Sequence, residues 1–505
     1  MNKILAIFLF SLILPLCLCG QSKRDYIWFL GKDQQVEPGI QGMRMDFNIT
    51  PMEPQVAING LEFDQQQMGI CDEEGRLLFY TNGCAVANAD DEIMPNGDSI
   101  NAGLFFDQLW LGDCGNGYPG PQDMIILPDP AYELGYYMIH KTVEYSPGQD
   151  PVVHVDHLKY SYIDLSLEEG KGDVVEKNII FGNGDFLISY LVGISHTNQK
   201  NYWIIQNEKN SNIYHKYFLN EYGIQLHDKQ EIGPIFDWNA SGAGVARFSP
   251  DGELYAYHNY QDQLLLYDFD RSTGQLSNLR QLSFEVTPNF TSLEFSSNSR
   301  FLYVMGSEIL YQLDLESEIL EEGVELIDVY NGDVDPFPSR FARSALGPDC
   351  RVYIRPSQST LSCHVINKPN EKGKACDFRQ GVIKLPQFTA VGSFPNHPRW
   401  RVDEEEKCDP SLSTMFGAPV YYTRSLTTFP NPTDGPVQVE IPDQGIGYLY
   451  VYDMNGNPVQ SAEEVRSQTN ISLDLSGRPA GQYIIEFLPK YNPDRVVYQS
   501  VVVKY

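Results

Sequence analysis

The sequence predicts an all-β protein: a β-propeller of six to seven blades, seven favoured, followed by a small C-terminal β-sandwich. Three observations predict it. Between about Tyr26 and Trp400, short runs of β-branched and aromatic residues alternate with polar turns, and almost no segment holds a helical period. Within that span one frame recurs: an apolar strand, a polar turn, an aromatic-rich strand, then a third strand ending in an acidic turn. The last eighty or so residues change character, to alternating strands joined by Asn-Gly and Ala-Gly turns.

The copies of the frame run in order along the chain. MGICDEEGRLLFYTNG is the loosest, and DMIILPDPAYELGYYMIH with LKYSYIDLS follows it. LVGISHTNQKNYWIIQN with NIYHKYFLNEYGIQL comes next. The clearest copy is GVARFSPDGELYAYHNY with QLLLYDFDRSTGQLS, from Gly244 to Ser277. TSLEFSSNSRFLYVMGS with ILYQLDLES (Thr291 to Ser317) and RSALGPDCRVYIRPS with LSCHVINKP (Arg343 to Pro369) complete six. In Ser249-Pro250-Asp251-Gly252 the proline presets φ, the aspartate caps the turn and the glycine supplies positive φ. The later turns lie about 50 residues apart, a period typical of propeller blades. A sandwich has no reason to repeat the frame so regularly. A seventh blade is expected from the strand at Tyr26 to Leu30 joined to residues near Phe394 to Val402, which would seal the ring. Wider spacing before Tyr190 implies long loops, notably Asn88 to Gly120.

The N-terminus sets the compartment. Lys3 precedes an apolar stretch from Ile4 to Leu18, broken only by Ser11 and Pro15, and then come Cys19, Gly20 and Gln21. This pattern predicts a secretory signal peptide over residues 1–20, cut near Cys19 or Gly20. A lipoprotein cut is the alternative, although Leu18 is bulky for one. The run is too short for a membrane anchor, and no later segment is apolar enough to span a bilayer, so no transmembrane segment is expected in the mature chain. The net charge is −31, with Lys and Arg scattered, so nucleic acid is not an expected partner. Of nine cysteines, Cys17 and Cys19 fall in the signal segment. The rest show no CxxC pair and no zinc spacing, and in an oxidising compartment they predict disulfides. Short loops suggest Cys84 with Cys114 and Cys363 with Cys376.

The expected domains are the signal segment, a propeller over 21–402, a linker over 403–426 and a sandwich over 427–505. DEEEKCDPSLS carries the charge run and the Pro and Ser of a linker, with a solvated loop at a blade edge as the alternative for its first half.

Four strings fill the last module: FPNPTDGPVQVEI from Phe429, LYVYDMNGNPVQ from Leu449, ISLDLSGRPAGQYIIEF from Ile471, and VVYQSVVVKY at the end. In order and spacing they resemble the type A C-terminal sorting domain of type IX secretion substrates from Bacteroidetes. The matching positions are Pro430, Asn431, Pro432, Gly435, Asp453, Asn455, Gly456, Pro479, Gly481 and Tyr483. The resemblance implies an Ig-like sandwich, the type IX machinery as partner, and a protein secreted or attached to the outer cell surface. The segments GRLLFYTNGCAVAN, EIMPNGDSI, KYSYIDLS, YDFDRSTGQLS and HVINKPNEKGKACDF are similar to WD-repeat-like propellers of Bacteroidetes surface and gliding-motility-associated proteins, a group that carries no established activity.

Catalytic motifs are missing from the sequence: no GxSxG, no HExxH and no GxxxxGK[ST]. No catalytic, cofactor-binding or metal residue is therefore assigned, and no cofactor is expected. His154, Asp156 and His157 form the one compact polar cluster, but strand alternation puts His157 on the opposite face from the other two, and an exposed loop before the strand Leu158 to Ile163 is the simpler reading. Asn88, Asp90, Asp91 and Asp98 lack EF-hand spacing and read as a solvated loop. The expected function is binding or scaffolding of an extracellular glycan, peptide or protein. The alternative is a hydrolase or lyase acting on polysaccharide or peptide at the central channel.

Overall fold

The computed structural model describes residues 21–31, 42–57, 59–63, 65–109, 117–148, 153–235, 244–259, 263–284, 291–334, 337–386, 392–412, 422–442, 447–454, 458–465, 470–489 and 496–505. The signal-segment expectation at 1–20 lies outside them.

Among the described residues seven antiparallel sheets precede residue 403, and six of them follow the repeats. Sheet one is Ile27–Leu30, Met43–Asp46 and Gln55–Val56, and sheet two is Met68–Cys71, Leu77–Thr81 and Val86–Asn88. Sheet three is built on Met124–Asp129, Tyr132–Lys141, Val153–Asp164 and Asp173–Phe186. Sheet four is Val192–Ser195, Tyr202–Asn207, Ile213–Asn220 and Gly223–Glu231. Sheet five is Val245–Phe248, Leu254–His258, Gln263–Asp270 and Gln275–Ser283. Sheets six and seven begin at Ser292–Phe295 and Phe341–Leu346 and have the same four-strand meander. Each pairs neighbours in sequence, as short polar turns between strands require.

The first strands line an axis. Ile27–Leu30 lies beside Met68–Cys71, which lies beside Met124–Asp129, and Val192–Ser195, Val245–Phe248, Ser292–Phe295 and Phe341–Leu346 stand side by side in turn. The inner strands are covered on both faces and so read as near-continuous apolar runs; Phe301–Met305 is buried at all five positions, whereas the outer strand Gly223–Glu231 is mostly exposed or half-buried. Apolar clusters join consecutive sheets around the circle. Tyr190, Trp203, Tyr255 and Tyr267 lie between sheets four and five, and Leu266, Leu293 and Val304 between five and six. Trp28, Met45, Tyr353 and Val365 join sheet one to sheet seven, so the ring closes. The geometry is that of a β-propeller.

One expectation is corrected here, and for the first half of 403–426 the blade-edge alternative is the one favoured. Residues 394–402 do not pair with Tyr26 to Leu30; sheet one is made entirely of N-terminal strands, and its contact with sheet seven is side-chain packing around Trp28, 5.6 Å from Tyr353. The first half of the expected linker is held on the propeller. Asp403 pairs with Arg271 at 2.7 Å, the Asp409 amide donates to the Pro348 carbonyl at 2.7 Å, and Cys408 is disulfide-bonded to Cys350.

That disulfide was not legible in the sequence, and the Cys363–Cys376 pairing is wrong. Cys363 points into the cluster between sheets seven and one, Cys376 into the cluster between six and seven, and both are free and buried, as is Cys71. Cys84 is disulfide-bonded, while Cys114 lies outside the described residues.

The C-terminal module is a sandwich. One sheet holds Tyr422–Ser425, Val496–Lys504, Gly481–Pro489, Gly447–Asp453 and Pro458–Val465, in that order; the other holds Thr427–Phe429, Pro436–Glu440 and Asn470–Asp474. Leu449, Val451, Ile485 and Phe487 of the first face Val437, Val439 and Leu473 of the second. The opposite face of the first sheet carries Tyr448, Tyr450 and Tyr452, which pack on Val329 of sheet six, with the Lys374 ammonium 4.7 Å from the Tyr450 ring.

Candidate functional site

A propeller's default site is its axial channel, and here the chain fills it with its own residues 393–402. The segment contains Pro395 and Pro398, which cannot donate to a ladder, and it crosses the axis as irregular chain whose polar groups must find partners among the first strands. Ser393 donates its amide to the Gln65 carbonyl at 2.9 Å and accepts Gln67 Nε2 at 2.8 Å, just before sheet two. Asn396 is the hub. Its Nδ2 donates to the carbonyls of Met124 (3.1 Å, sheet three) and Leu191 (2.8 Å, at sheet four), while its Oδ1 accepts Gln122 Nε2 (3.0 Å) and Arg247 Nη1 of sheet five (2.9 Å). Arg399 donates Nε to the Phe248 carbonyl at 2.8 Å and pairs with Glu294 of sheet six. Phe394 lies 5.2 Å from Trp28 of sheet one.

Charge does converge on this axis, as the catalytic alternative demands, but it is spent on structure. Glu294, fully buried, meets both Arg247 Nε at 3.3 Å and Arg399. Arg401 grips Asp25 with two parallel bonds of 2.8 and 2.6 Å and donates to the Ser22 carbonyl at 2.7 Å. Burial alone would raise the Asp25 carboxyl, yet the Arg401 charge and hydrogen bonds hold it below the ordinary range. Both carboxylates, with His397, line a small pocket of about 40 Å³ on the axis. Perturbed titration elsewhere is equally structural: burial pushes Lys141 down and Asp123 up at 2.5 Å from each other, and the ammonium is satisfied by the Leu187 and Ser189 carbonyls and Gln206 Oε1.

An open cleft lies at the mouth of the channel, on the face where the first and second strands of sheets two, three and four turn. It measures about 400 Å³ and is walled by Trp400, Tyr202, Pro128 and Pro130, with Arg24, Lys200 and Glu404 around it. Arg24 lies 5.8 Å from the Trp400 ring and binds Glu73 at 2.7 Å. Glu404 Oε1 accepts the Ser22 amide at 3.1 Å, and burial raises its carboxyl.

The polar clusters singled out in the sequence stay apart from this cleft. His154 and Asp156 lie 3.3 Å apart on one side of the strand Val153–Asp164, whereas His157 turns the other way to Asn183 at 2.9 Å. The strand thus starts earlier than expected, and these residues belong to it rather than to a loop. Asp91 is taken by Arg44 and Tyr80, Asp90 by Lys171 at 2.9 Å and Asp98 by Lys177 at 3.3 Å. No group of three metal-ligating side chains occurs among the described residues. What the sequence reading missed is the channel segment. Its one signal was a Pro- and Arg-bearing stretch without alternation after the last repeat.

The C-terminal motif positions gather at one end of the sandwich. Asn431 donates Nδ2 to the Val501 carbonyl at 2.7 Å and accepts the Val503 amide at 3.0 Å, while Thr433 exchanges backbone bonds of 2.8 and 3.0 Å with Val503 and Tyr505. Gly435 is required by closeness, since a Cβ there would sit 2.1 Å from Ser476 Oγ. The Tyr483 hydroxyl donates to the Pro479 carbonyl at 2.8 Å, Tyr483 faces Asp453, and Gly481 faces Lys504. Asn455 and Gly456 lie outside the described residues.

Fold and motif together define an exported propeller protein: a ring of sheets with a C-terminal address. Residues 427–503 match the family described as the secretion system C-terminal sorting domain, so this module is a type IX secretion C-terminal sorting domain and the protein is exported to the cell surface or beyond it. No helix among the described residues is long and apolar enough to cross a membrane. No curated protein matches the chain. Among solved structures, it is similar to the periplasmic gluconolactonase PpgL of Pseudomonas aeruginosa (14% identity, 73% of this chain and 98% of that one, TM-score 0.37). It is also similar to the Cps50 (Swd1) β-propeller domain of Myceliophteria thermophila (9%, 66% and 91%, TM-score 0.36) and to the Dos1 propeller (9%, 66% and 90%, TM-score 0.34).

Proposed function

We propose that the protein is a secreted or surface-attached seven-bladed propeller of a Bacteroidetes-type cell that binds or scaffolds an extracellular glycan, peptide or protein. On this reading the chain enters the periplasm by the signal peptide at 1–20, the ring spans 21–402, and the sorting domain at 427–505 serves only export. The observation that carries binding over catalysis is the filled channel. Residues 393–402 occupy the place where a propeller enzyme holds its substrate, and the carboxylates there are neutralised by arginines. The test is a broad array of glycans, matrix proteins and envelope fractions probed with the purified full chain. Saturable retention of at least one component is expected, and a blank array sinks the reading. Turnover of a polysaccharide or peptide panel, abolished by Glu294→Gln, would favour the hydrolase or lyase instead.

A further inference from the structure

We infer that the outer face of the sorting domain is a docking surface whose seat is sheet six of the same ring, a latch that holds the address against a folded propeller and leaves the motif end to the export machinery. It bears on how the address is carried, independently of the ligand proposed above.

The face is set by the strand Gly447–Asp453, GYLYVYD. Strand alternation sends Leu449 and Val451 into the sandwich and Tyr448, Tyr450 and Tyr452 out of it. Ile484 of the neighbouring strand Gly481–Pro489 and Val497 of Val496–Lys504 widen the stripe. An antiparallel sheet with one free face keeps that face polar. This sheet is apolar on both sides, and tyrosine, a large ring with a polar tip, is a residue type that interfaces favour. All three tyrosines are buried in the whole chain.

What they meet is shaped for them. The outer strand of sheet six, Val324–Val329, pairs with Ile309–Asp314, with a register shift between Leu310 and Tyr311 that leaves Ile327 as the extra residue. Ile327 turns into the cluster between sheets six and seven. The bulge thereby brings Leu326 and Val329, three apart in sequence, into one patch with Ile309, which lies opposite Val329. By contrast the outer strand of sheet four, GIQLHDKQE, is mostly polar and exposed or half-buried. Sheet six offers an apolar seat where sheet four offers a solvated edge.

The latch is built to open. The hydroxyls of Tyr450 and Tyr452 are buried with no hydrogen-bond partner among the described residues, so each gives up its bond to water when the faces meet. Lys374 reaches the seam against the Tyr450 ring, 4.7 Å away, and among the described strands no backbone ladder crosses from one domain to the other. Such a seam is weaker than either core and separates before the ring or the sandwich unfolds. The motif end stays open while the latch is shut: Phe429 and Tyr505 are exposed, and a Cβ at Gly481 would meet nothing within 4 Å.

The test uses the full chain and a variant on each side of the seam. Val329→Asp puts a charge into the seat, and Tyr450→Ala removes the middle ring of the stripe without touching the sandwich core. Protease cleavage between residues 412 and 422 and the maximum dimension in small-angle X-ray scattering report the latch. Calorimetry reports the two folds, and release from a type IX-competent cell reports export. Wild type should be compact and resistant. Each variant should be cut at least about tenfold faster and extend further, since cleavage follows the open population, with the propeller transition unmoved and export equal to wild type. If Val329→Asp fails to fold, Tyr450→Ala decides alone. Wild type cut as fast as Tyr450→Ala, at the same dimension, overturns the latch. Export lost in Tyr450→Ala with both transitions intact shows the machinery reading the tyrosine face, and overturns its assignment to sheet six.

Discussion

Single residues show how burial, rather than chemistry, tunes this protein. His258 is fully buried with both ring nitrogens unpartnered among the described residues, and burial pushes its pKa down to about 3. His140 is pushed to about 3 by burial and the Lys159 charge, and His364 to about 4 by burial, partly offset by the Ser339 carbonyl. All three lie below the unfolded value near 6.5, so the unfolded chain binds more protons at acid pH. The stability they represent is intact above about pH 6.5 and is lost as pH falls toward 4 and 3. At pH 5 each costs about 2 kcal/mol. The melting temperature of wild type should therefore drop more between pH 8 and pH 5 than that of His258→Gln. Parallel curves would remove His258 from the account.

At the scale of an element, two fastenings have separable effects. The Cys350–Cys408 disulfide spans 58 residues and pins the segment that follows the channel to the edge of sheet seven. The chain-entropy model values such a loop at about 4 kcal/mol. Cys350→Ser with Cys408→Ser should lower the propeller's melting temperature and make residues 403–412 the first site of protease cleavage; an unchanged digest would show that the Asp403 and Asp409 contacts suffice alone. In the sorting domain, Asn431 closes the edge of the last strand with two side-chain bonds. Asn431→Ala should destabilise that module by about 1–3 kcal/mol, without moving the propeller transition in calorimetry.

Elements also divide what was legible in the sequence from what was not. Turns such as Ser249-Pro250-Asp251-Gly252 announced themselves because only a few residue types make them, and the hydroxyl of Ser249 does bind Asp251 at 2.5 Å. Sheets two to seven followed from such turns. The role of 393–402 did not, because a segment without secondary structure carries no period, and the partners that Asn396 and Arg399 find on the first strands lie more than a hundred residues away in sequence. The Cys350–Cys408 pair was hidden for the same reason: loop length favours near neighbours, but folded geometry decides. The candidate site was equally hidden, since Trp400 reads as core from composition and lines a cleft only once the axis is filled.

For the whole molecule, the axial segment changes how the ring should come apart. Repeat proteins whose units touch only their neighbours unfold piecemeal. Here Asn396 alone bonds to three sheets, and the segment as a whole meets the others. Asn396→Leu preserves volume but removes the donor to the Met124 and Leu191 carbonyls, while Gln122 keeps its two bonds to Ala246, a loss of about 2–3 kcal/mol. Its unfolding should also become less cooperative, with the denaturant slope falling as sheets separate in stages. A variant that lost stability with an unchanged slope would show that side-chain packing between sheets, not the axial segment, holds the ring as one unit.

The position of that segment orders events in time. A chain that enters its folding compartment N-terminus first delivers the seven sheets, then the strip that threads them, then the clasp at Cys408, and only afterwards the strands of the sorting domain. Assembly thus comes before address. A molecule cut short before residue 393 would lack both the residues that lock its ring and the signal that sends it out. The same arrangement that seals the propeller withholds export from incomplete copies.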